Sequence, residues 1–238
     1  MRISKRRSLG QHMLVDRDVL LRIINASRIT KDENVCEAGT GNGILTNELC
    51  KYGKSVISFE IDSQIFEKAK PKLFSFPNLR LVNADIFKSI PLNFDVFISN
   101  LPYSKSKEAL QWLALQKFQR AIIMVQKDFA DKLQAIPGKE NYRAITVITQ
   151  HCFILQKLFV VHVKSFDPEP SVESEVIRLY RKNTAITKRT IGNLEFIFSQ
   201  RNKKASTAAR KFGVKFDFDN VRIDELETHD LIKLAESL

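Results

Sequence analysis

The sequence predicts an α/β fold with a mostly parallel, doubly wound sheet and a small C-terminal α-helical domain. From residue 35 to about residue 180, short β-branched or aromatic runs alternate with amphipathic stretches, as expected for successive strand–helix–strand units. A glycine-rich turn separates the first such run from the first amphipathic stretch. After about Ala185 the chain becomes helical, basic and rich in phenylalanine. Parallel strands joined in this way should have right-handed crossovers.

The individual elements follow from the spacing of apolar residues along the chain. The first strand covers 35–37, and Ile44, Leu45 and Leu49 have helical spacing that ends at Gly53, a predicted C′ residue. Further strands are predicted at 56–62, 79–85, 94–100 and 120–126, with helices at 63–75, 107–118 and 127–136. A helix and strand over 143–163 and a strand over 175–181 complete the predicted sheet.

Composition limits the class of protein and its partners. The 238 residues are 44% hydrophobic and 27% charged, which suffices for one large domain with a small appendage. We therefore expect a domain over 1–184 and a small helical domain over 185–238. The net charge of +11 favours a polyanionic partner, and nucleic acid is the first candidate.

Several classes of protein are excluded on composition. Cys36, Cys50 and Cys152 form no C-x-x-C pair, which argues against a disulfide framework and a zinc site, so no metal is expected. No apolar run approaches the roughly 18 residues that a membrane helix needs. The basic N-terminus lacks the apolar segment of a secretory signal. We expect a cytoplasmic protein that does not associate with membranes.

The glycine-rich turn has the pattern of a nucleotide-cofactor site. Residues 37–43 read E-x-G-x-G-x-G between a predicted strand and a predicted helix, where glycine lets a ligand approach backbone N–H groups. Glu60 follows Gly39 by 21 residues at the next strand end, where a carboxylate can accept hydrogen bonds from both hydroxyls of a ribose. Asp85 ends the third strand and can accept from an adenine amino group. This set suits a nucleoside without phosphates, such as S-adenosylmethionine, better than a dinucleotide.

A second motif, Asn100-Leu101-Pro102-Tyr103, ends the fourth strand of the predicted sheet. An exocyclic adenine amine is a poor nucleophile because its lone pair is delocalised into the ring. The side-chain oxygen of Asn100 and the carbonyl of Leu101 can accept its protons, which frees that pair as the nitrogen becomes tetrahedral. Pro102 stiffens the turn and Tyr103 offers an aromatic face to the base. Such chemistry depends mainly on positioning.

With these motifs the sequence resembles the S-adenosylmethionine-dependent small-subunit ribosomal RNA adenine N6-dimethyltransferases of the KsgA type. The resemblance runs from Gly10 to about Lys211. Residues 10–14 are similar to the G-Q-N-F-L opening of that family, and 124–138 to its M-x-Q-K-E…L…P-G segment. Residues 166–174 match its F-x-P-x-P-x-V-x-S segment.

The resemblance implies a Rossmann-like class I methyltransferase that acts on two adjacent adenines near the 3′ end of small-subunit rRNA. The substrate would be this rRNA or a precursor particle, in small-subunit maturation, and we expect a monomer. Phe166 would lie opposite Tyr103, as the second aromatic surface around a flipped adenine. The residues that we assign to the cofactor on this basis are Gln11, His12, Leu14, Gly39, Gly41, Glu60, Ile61, Asp85, Ile86 and Asn100.

The chain departs from the family pattern at two places. His12 and Met13 stand where the family has Asn and Phe. An imidazole can donate to the methionine carboxylate of the cofactor, but its charge near neutral pH makes that contact pH-dependent. Ser104-Lys105-Ser106-Lys107 follows the catalytic motif where Ile-Ser is usual. The two lysines either face the rRNA or begin a solvated helix.

Two basic clusters are candidates for phosphate contacts. They are Lys5, Arg6 and Arg7 near the N-terminus, and Arg201, Lys203, Lys204, Arg210, Lys211 and Lys215 in the C-terminal part. Contacts at such clusters supply affinity and little sequence specificity, and a solvated face is the alternative interpretation. The helical spacing of Trp112, Phe196 and Phe198 predicts core positions.

Three other functions fit part of the pattern. A large-subunit rRNA adenine methyltransferase of the macrolide-resistance type shares most motifs, but the segment 166–174 favours the small-subunit family. A non-catalytic nucleic-acid-binding relative, of the mitochondrial transcription factor type, would not need the intact motif at 100–103. A nicotinamide dehydrogenase is the weakest alternative, since no catalytic His, Tyr-Lys or Cys set accompanies the glycine turn.

Overall fold

The computed structural model describes residues 12–89, 92–207, 213 and 221–238. Strands cover Met13–Leu14 (β1), Asn34–Ala38 (β2), Ser55–Glu60 (β3), Leu79–Asn83 (β4), Val96–Asn100 (β5), Arg120–Gln126 (β6), Phe153–Val161 (β7), Phe166–Asp167 (β8) and Ser174–Arg181 (β9). Helices cover Arg17–Ser27 (α1), Ile44–Tyr52 (α2), Ser63–Leu73 (α3), Ser106–Ala114 (α4), Lys127–Leu133 (α5), Ala144–Cys152 (α6), Lys188–Phe198 (α7) and Thr228–Glu236 (α8).

Within the described ranges the main sheet has seven strands in the order β4-β3-β2-β5-β6-β9-β7. The pairs β4–β3, β3–β2, β2–β5 and β5–β6 are parallel, and β9 is antiparallel to β6. The predicted doubly wound, mostly parallel sheet is therefore confirmed. Strand order reverses between β2 and β5, so the chain leaves these neighbours in opposite directions. Open α/β sheets bind ligands outside the carboxyl ends of strands at such a point.

Two elements near the N-terminus were not predicted. Helix α1 begins after Asp16, whose carboxylate accepts from the backbone N–H groups of Asp18 and Val19, at 3.0 and 3.1 Å. An acidic N-cap before an apolar run is a recognisable start signal for a helix. The two-residue strand β1 pairs with β8, Met13 opposite Asp167. A strand that short has no period to detect in the sequence.

Val, Ile and Phe side chains of the strands form the core of the sheet. Val96 and Ile98 on β5 are fully buried, as are Val35 on β2 and Ile122 on β6 to within 1% exposure. Strands that are buried on both faces read as continuous apolar runs, which explains why β5 and β6 show no alternation.

Gly53 follows α2 as predicted, but its backbone is extended, with φ of −80°, where a C′ glycine would be left-handed. The position requires glycine for space: a Cβ there would lie 3.0 Å from Val35 Cγ2 and 3.3 Å from the carbonyl oxygen of Leu49. Packing of the helix end against β2, not turn geometry, therefore selects this residue.

The described residues form two compact units. The first holds the described part of Met1–Ala109, with Gln116–Lys127 and Gln156–Arg181. The second holds Leu110–Leu115, Asp128–Leu155 and the described part of Lys182–Leu238. The predicted domain boundary between residues 184 and 185 stays a prediction. The two compact units are each built from segments that are not contiguous in sequence. Short amphipathic helices must bury their apolar faces on one another, and this draws the earlier segments into the second unit.

The second unit has its own apolar core. Leu194 on α7 and Leu231 on α8 are fully buried, and the ring of Phe198 packs edge-on against Tyr142 with centroids 5.8 Å apart. Trp112 is 6% exposed, which confirms its predicted core position. The prediction for Phe196 was wrong, since this side chain is 53% exposed. Helical spacing identifies an apolar stripe but does not say where its edge meets solvent.

Candidate functional site

A cavity of about 580 Å³ opens at the carboxyl ends of the parallel strands in the first unit. The predicted site residues that line it are His12, Leu14, Gly39, Gly41, Glu60, Ile61, Asp85, Ile86, Asn100, Leu101 and Pro102. Sequence reasoning missed Met13, Leu20, Phe59, Ala84 and Phe87 in its wall. Each of these neighbours a predicted residue or lies on α1, and apolar side chains carry no chemical signal of their own. Gln11 lies outside the described residues.

The glycine-rich turn after β2 has a backbone that other residues rarely adopt. Gly39, Gly41 and Gly43 have φ of 85°, 56° and 81°. A Cβ on Gly43 would lie 3.1 Å from Leu73 Cδ1, and one on Gly41 would lie 3.3 Å from Met13 Sδ. The turn thus needs glycine for its conformation and for its close packing, and it brings bare backbone to the cavity wall.

Glu60, at the end of β3, is held in place by two backbone groups. The N–H of Gly41 donates to Oε2 and the N–H of Asp62 donates to Oε1, each at 3.0 Å. The residue is 4% exposed. Because a carboxylate has about four acceptor positions, each oxygen keeps one for a further donor. This geometry orients the carboxylate to accept two hydroxyls at once.

Asp85 caps a short 3₁₀ helix, Ile86–Lys88, at the carboxyl edge of the sheet. Its Oδ1 accepts from the N–H of Phe87 at 3.0 Å, and Lys88 Nζ lies 3.9 Å from Oδ2. Asp85 shares the cavity wall with the buried Ile86 and the exposed Ile61. A carboxylate beside an apolar surface suits a planar base that carries an amino group on its edge.

Glu37, the first residue of the glycine motif, does not belong to the cavity wall. It is fully buried, and its Oε2 accepts from the hydroxyls of Thr46 and Ser58, each at 2.6 Å. The hydroxyl of Thr40 lies 2.7 Å from that of Ser58 and extends the network to the turn. Burial raises the pKa of Glu37 to about 7 against the lowering effect of the two hydroxyls. Glu37 is a scaffold for the turn.

This burial predicts a pH-dependent stability that Glu37→Gln removes. Since the pKa is raised from 4.5 to about 7 on folding, the folded chain holds a proton that the unfolded chain releases between these values. This contribution to stability is complete below pH 4.5 and is lost as the pH rises through 7. In urea unfolding, the free energy of unfolding should fall by up to about 1.4 kcal/mol per pH unit across this window. Glu37→Gln should lack this contribution. Glu67→Gln, on the exposed face of α3, should keep the wild-type slope. A variant with an unchanged slope would contradict the assignment.

The motif at the end of β5 combines a free amide with a rigid turn. Asn100 ends the strand opposite Met124 of β6, and Pro102 accepts from the N–H of Lys105 at 2.8 Å. Within the part of the chain that the structure describes, the side-chain amide of Asn100 has no hydrogen-bond partner. Its oxygen is therefore available to a ligand in the cavity.

Tyr103 and Phe166 are the predicted catalytic residues that do not line the cavity, among the residues described. Tyr103 is partly buried, and its hydroxyl lies 2.6 Å from that of Ser174 on β9. Burial raises its pKa, a shift that the Ser174 bond reduces. His12 stacks on its ring with centroids 5.8 Å apart and an interplanar angle of 28°.

Phe166 lies in the apolar core of the first unit. Phe166 is 3% exposed and belongs to the apolar core that includes Val19, Met124 and Val176. This burial gives no support to a role for the ring as a surface for a base, and that role stays a prediction. The motif identifies an aromatic residue, but only packing decides which way its ring points.

The remaining predictions concern metals, membranes and basic residues. In the described ranges no group of three or more His, Cys, Asp or Glu side chains could hold a metal ion. None of the described helices is both long and apolar enough to cross a bilayer. Arg201 donates to the carbonyl of Glu140 at 3.0 Å. Lys5, Arg6, Arg7, Arg210, Lys211 and Lys215 lie outside the described residues.

Together, the sheet order, the glycine turn, the two strand-end acids and the Asn-Leu-Pro-Tyr turn define a methyltransferase of the Rossmann-like α/β class. A family model described as "Ribosomal RNA adenine dimethylase" matches residues 2–227. The chain belongs to the ribosomal RNA adenine dimethylase family.

Relatives and solved structures agree with this assignment. The chain is 31% identical to the ribosomal RNA small subunit methyltransferase A of Thermotoga maritima, over 98% of this chain and 85% of that protein. A dimethyladenosine transferase from Plasmodium falciparum has a TM-score of 0.79 and 26% identity, covering 94% of this chain and 96% of the other. The 23S rRNA methyltransferase ErmE has a TM-score of 0.67 and 24% identity, covering 94% and 98%, and shows the shared fold.

Proposed function

We propose that this protein transfers methyl groups from S-adenosylmethionine to the N6 atoms of two adjacent adenines near the 3′ end of small-subunit rRNA. The observation that carries the proposal is the free amide of Asn100 in the cavity wall, beside the glycine turn and across the strand ends from Glu60. The names of its relatives support the substrate class. We further propose that it acts as a monomer in the cytoplasm.

The residues of the cavity fit this cofactor. The glycine turn leaves bare backbone where a Cβ would crowd Met13 or Leu73, and Glu60 keeps free acceptor positions for two ribose hydroxyls. Asp85 would accept from the adenine amino group, while Ile61 and Ile86 would contact the faces of the base. When bound, the cofactor supplies an electrophilic methyl group on a sulfonium.

The chain's own residues would orient the target amine and hold its protons. Asn100 Oδ1 and the carbonyl of Leu101 accept hydrogen bonds from the two N6–H groups. As the nitrogen becomes tetrahedral, its lone pair is no longer delocalised into the ring. These acceptors are most favourable when the amine acquires positive charge, and they therefore act more in the transition state than in the ground state. After methyl transfer the N6 nitrogen is cationic, and it returns to the neutral amine by releasing one proton to solvent water.

Glu60→Ala should weaken cofactor binding by roughly ten- to a hundredfold, because it removes charge-assisted bonds worth about 1.5–3 kcal/mol. Titration calorimetry with S-adenosylmethionine measures the change. Glu60→Gln should lose less, since its amide keeps one acceptor. Glu67→Gln on α3 is the matched control for loss of one carboxylate. Wild-type affinity in Glu60→Ala would contradict the ribose assignment.

Methylation mapping tests the proposed function. The protein is incubated with methyl-labelled S-adenosylmethionine and either precursor small subunits or large-subunit rRNA, and the products are mapped by mass spectrometry. Two adjacent dimethyladenines near the 3′ end of small-subunit rRNA support the proposal. Methylation of large-subunit rRNA alone would indicate the macrolide-resistance type. RNA binding without methyl transfer would indicate a non-catalytic relative.

A further inference from the structure

The side chain of Tyr103 is held at two points by residues that lie far from it in sequence. Its hydroxyl lies 2.6 Å from Ser174 Oγ, and Ser174 is fully buried. One face of its ring is covered by His12, at a centroid distance of 5.8 Å and an interplanar angle of 28°. A tyrosine bonded at its hydroxyl and stacked on one face has little rotational freedom left.

His12 is itself fixed by the backbone. Its Nδ1 lies 2.8 Å from the carbonyl oxygen of Pro168, and since a carbonyl only accepts, Nδ1 carries the proton. In the neutral ring Nε2 is then an acceptor and cannot donate to a carboxylate. The neighbouring pair of strands, with Met13 opposite Asp167 and Leu14 opposite Phe166, holds this backbone beside His12. The predicted donation from His12 to the cofactor carboxylate therefore does not fit the neutral ring.

The segment 166–174 serves the same arrangement. Phe166 anchors it in the core, the Pro168 carbonyl holds His12, and Ser174 at its far end holds the Tyr103 hydroxyl. The two hydrogen bonds end on Tyr103 and on His12, the residue that stacks against it. This accounts for the segment without any contact between Phe166 and a substrate base.

We propose that His12 and Ser174 are positioning residues that fix the ring of Tyr103, so that the face turned away from His12 receives the target adenine. The inference rests on the proposed function. With the ring already ordered, stacking of the flipped base costs no further side-chain entropy. His12 thus acts through Tyr103, and its role in binding the cofactor is secondary.

A double-mutant cycle on methyl transfer tests the Ser174 part. Ser174→Ala and Tyr103→Phe should each lower kcat by roughly three- to tenfold, and the double variant should lose no more than either alone, since both remove the same bond. The affinity for S-adenosylmethionine should stay within about twofold of wild type. Losses that multiply in the double variant would overturn this role for Ser174. If Ser174→Ala fails to fold, the kcat of Tyr103→Phe is compared with that of Ser174→Thr. Ser174→Thr keeps a hydroxyl and should therefore keep the bond that Tyr103→Phe removes.

A fluorescent base tests the His12 part. RNA with 2-aminopurine in place of the target adenine should be quenched by stacking when bound to the wild-type protein. His12→Ala should weaken that quenching and lower kcat by roughly two- to tenfold, and His12→Phe should restore most of both, because it keeps the ring stack. Lower cofactor affinity with unchanged quenching and kcat would overturn the proposal and assign His12 to the cofactor. Unchanged values throughout would overturn it as well.

The wild-type reaction separates the two levels of inference. If the wild-type protein methylates no rRNA, the proposed function fails and this inference fails with it. If the wild-type protein is active and the variants behave otherwise than described, this inference alone fails.

Discussion

Asn100→Ala should lower methyl transfer by about 10²–10³-fold while RNA affinity stays close to that of the wild type. Removing one positioned hydrogen-bonding group that acts mainly in the transition state has an effect of this size. The amide of Asn100 lies in the cavity wall and has no partner within the described residues, so the substitution breaks no internal bond. Single-turnover methylation and fluorescence anisotropy measure the two quantities separately.

Asn100→Asp is the informative companion variant. It keeps a side-chain oxygen at the same position and should retain more activity than Asn100→Ala. If Asn100→Ala turned over at nearly the wild-type rate, the amide would have no part in the chemistry. An equal loss in both variants would mean that the NH₂ group, not the oxygen, is what the reaction needs.

Arg120→Met should reduce the free energy of unfolding by about 1–3 kcal/mol, since it leaves the partly buried Glu33 carboxylate and two backbone carbonyls without the donors of the guanidinium. Arg120 on β6 donates from Nη1 and Nη2 to the two oxygens of Glu33, at 2.7 and 2.9 Å, and the side chains are only 10% and 12% exposed. Its Nε and Nη2 also donate to the carbonyls of Ser27 and Arg28, at 2.6 and 2.7 Å. These carbonyls end helix α1, so one guanidinium joins the helix, the following loop and the sheet.

Guanidinium chloride unfolding measures this change. Arg80→Met, on the exposed side of β4, is the matched control and should change stability by less than about 0.5 kcal/mol. Adding Glu33→Leu to Arg120→Met should recover part of the loss, because no uncompensated charge then stays buried. A single variant as stable as the wild type would show that solvent reaches Glu33 freely.

The sequence predicted the strand ends on which the candidate cofactor and catalytic residues lie, while their roles stay proposals. The glycine turn, Glu60, Asp85 and Asn100 each follow a strand of recognisable period, and parallel strands deliver their carboxyl ends to one edge. Their convergence in one cavity follows from the strand order, which the structure supplied. The same reasoning found the strands β2 to β6 to within a few residues.

From the sequence alone we could therefore predict on which element each candidate residue lies, because its signal is local. The tertiary structure alone decided where side chains point: Phe166 into the core, Phe196 into solvent, and His12 onto Tyr103. It also decided that Arg120, the first residue of β6, joins this strand to the end of α1. The physical reason is that periodicity and motif spacing are local, whereas burial and hydrogen-bond partners depend on which distant segments fold against a side chain.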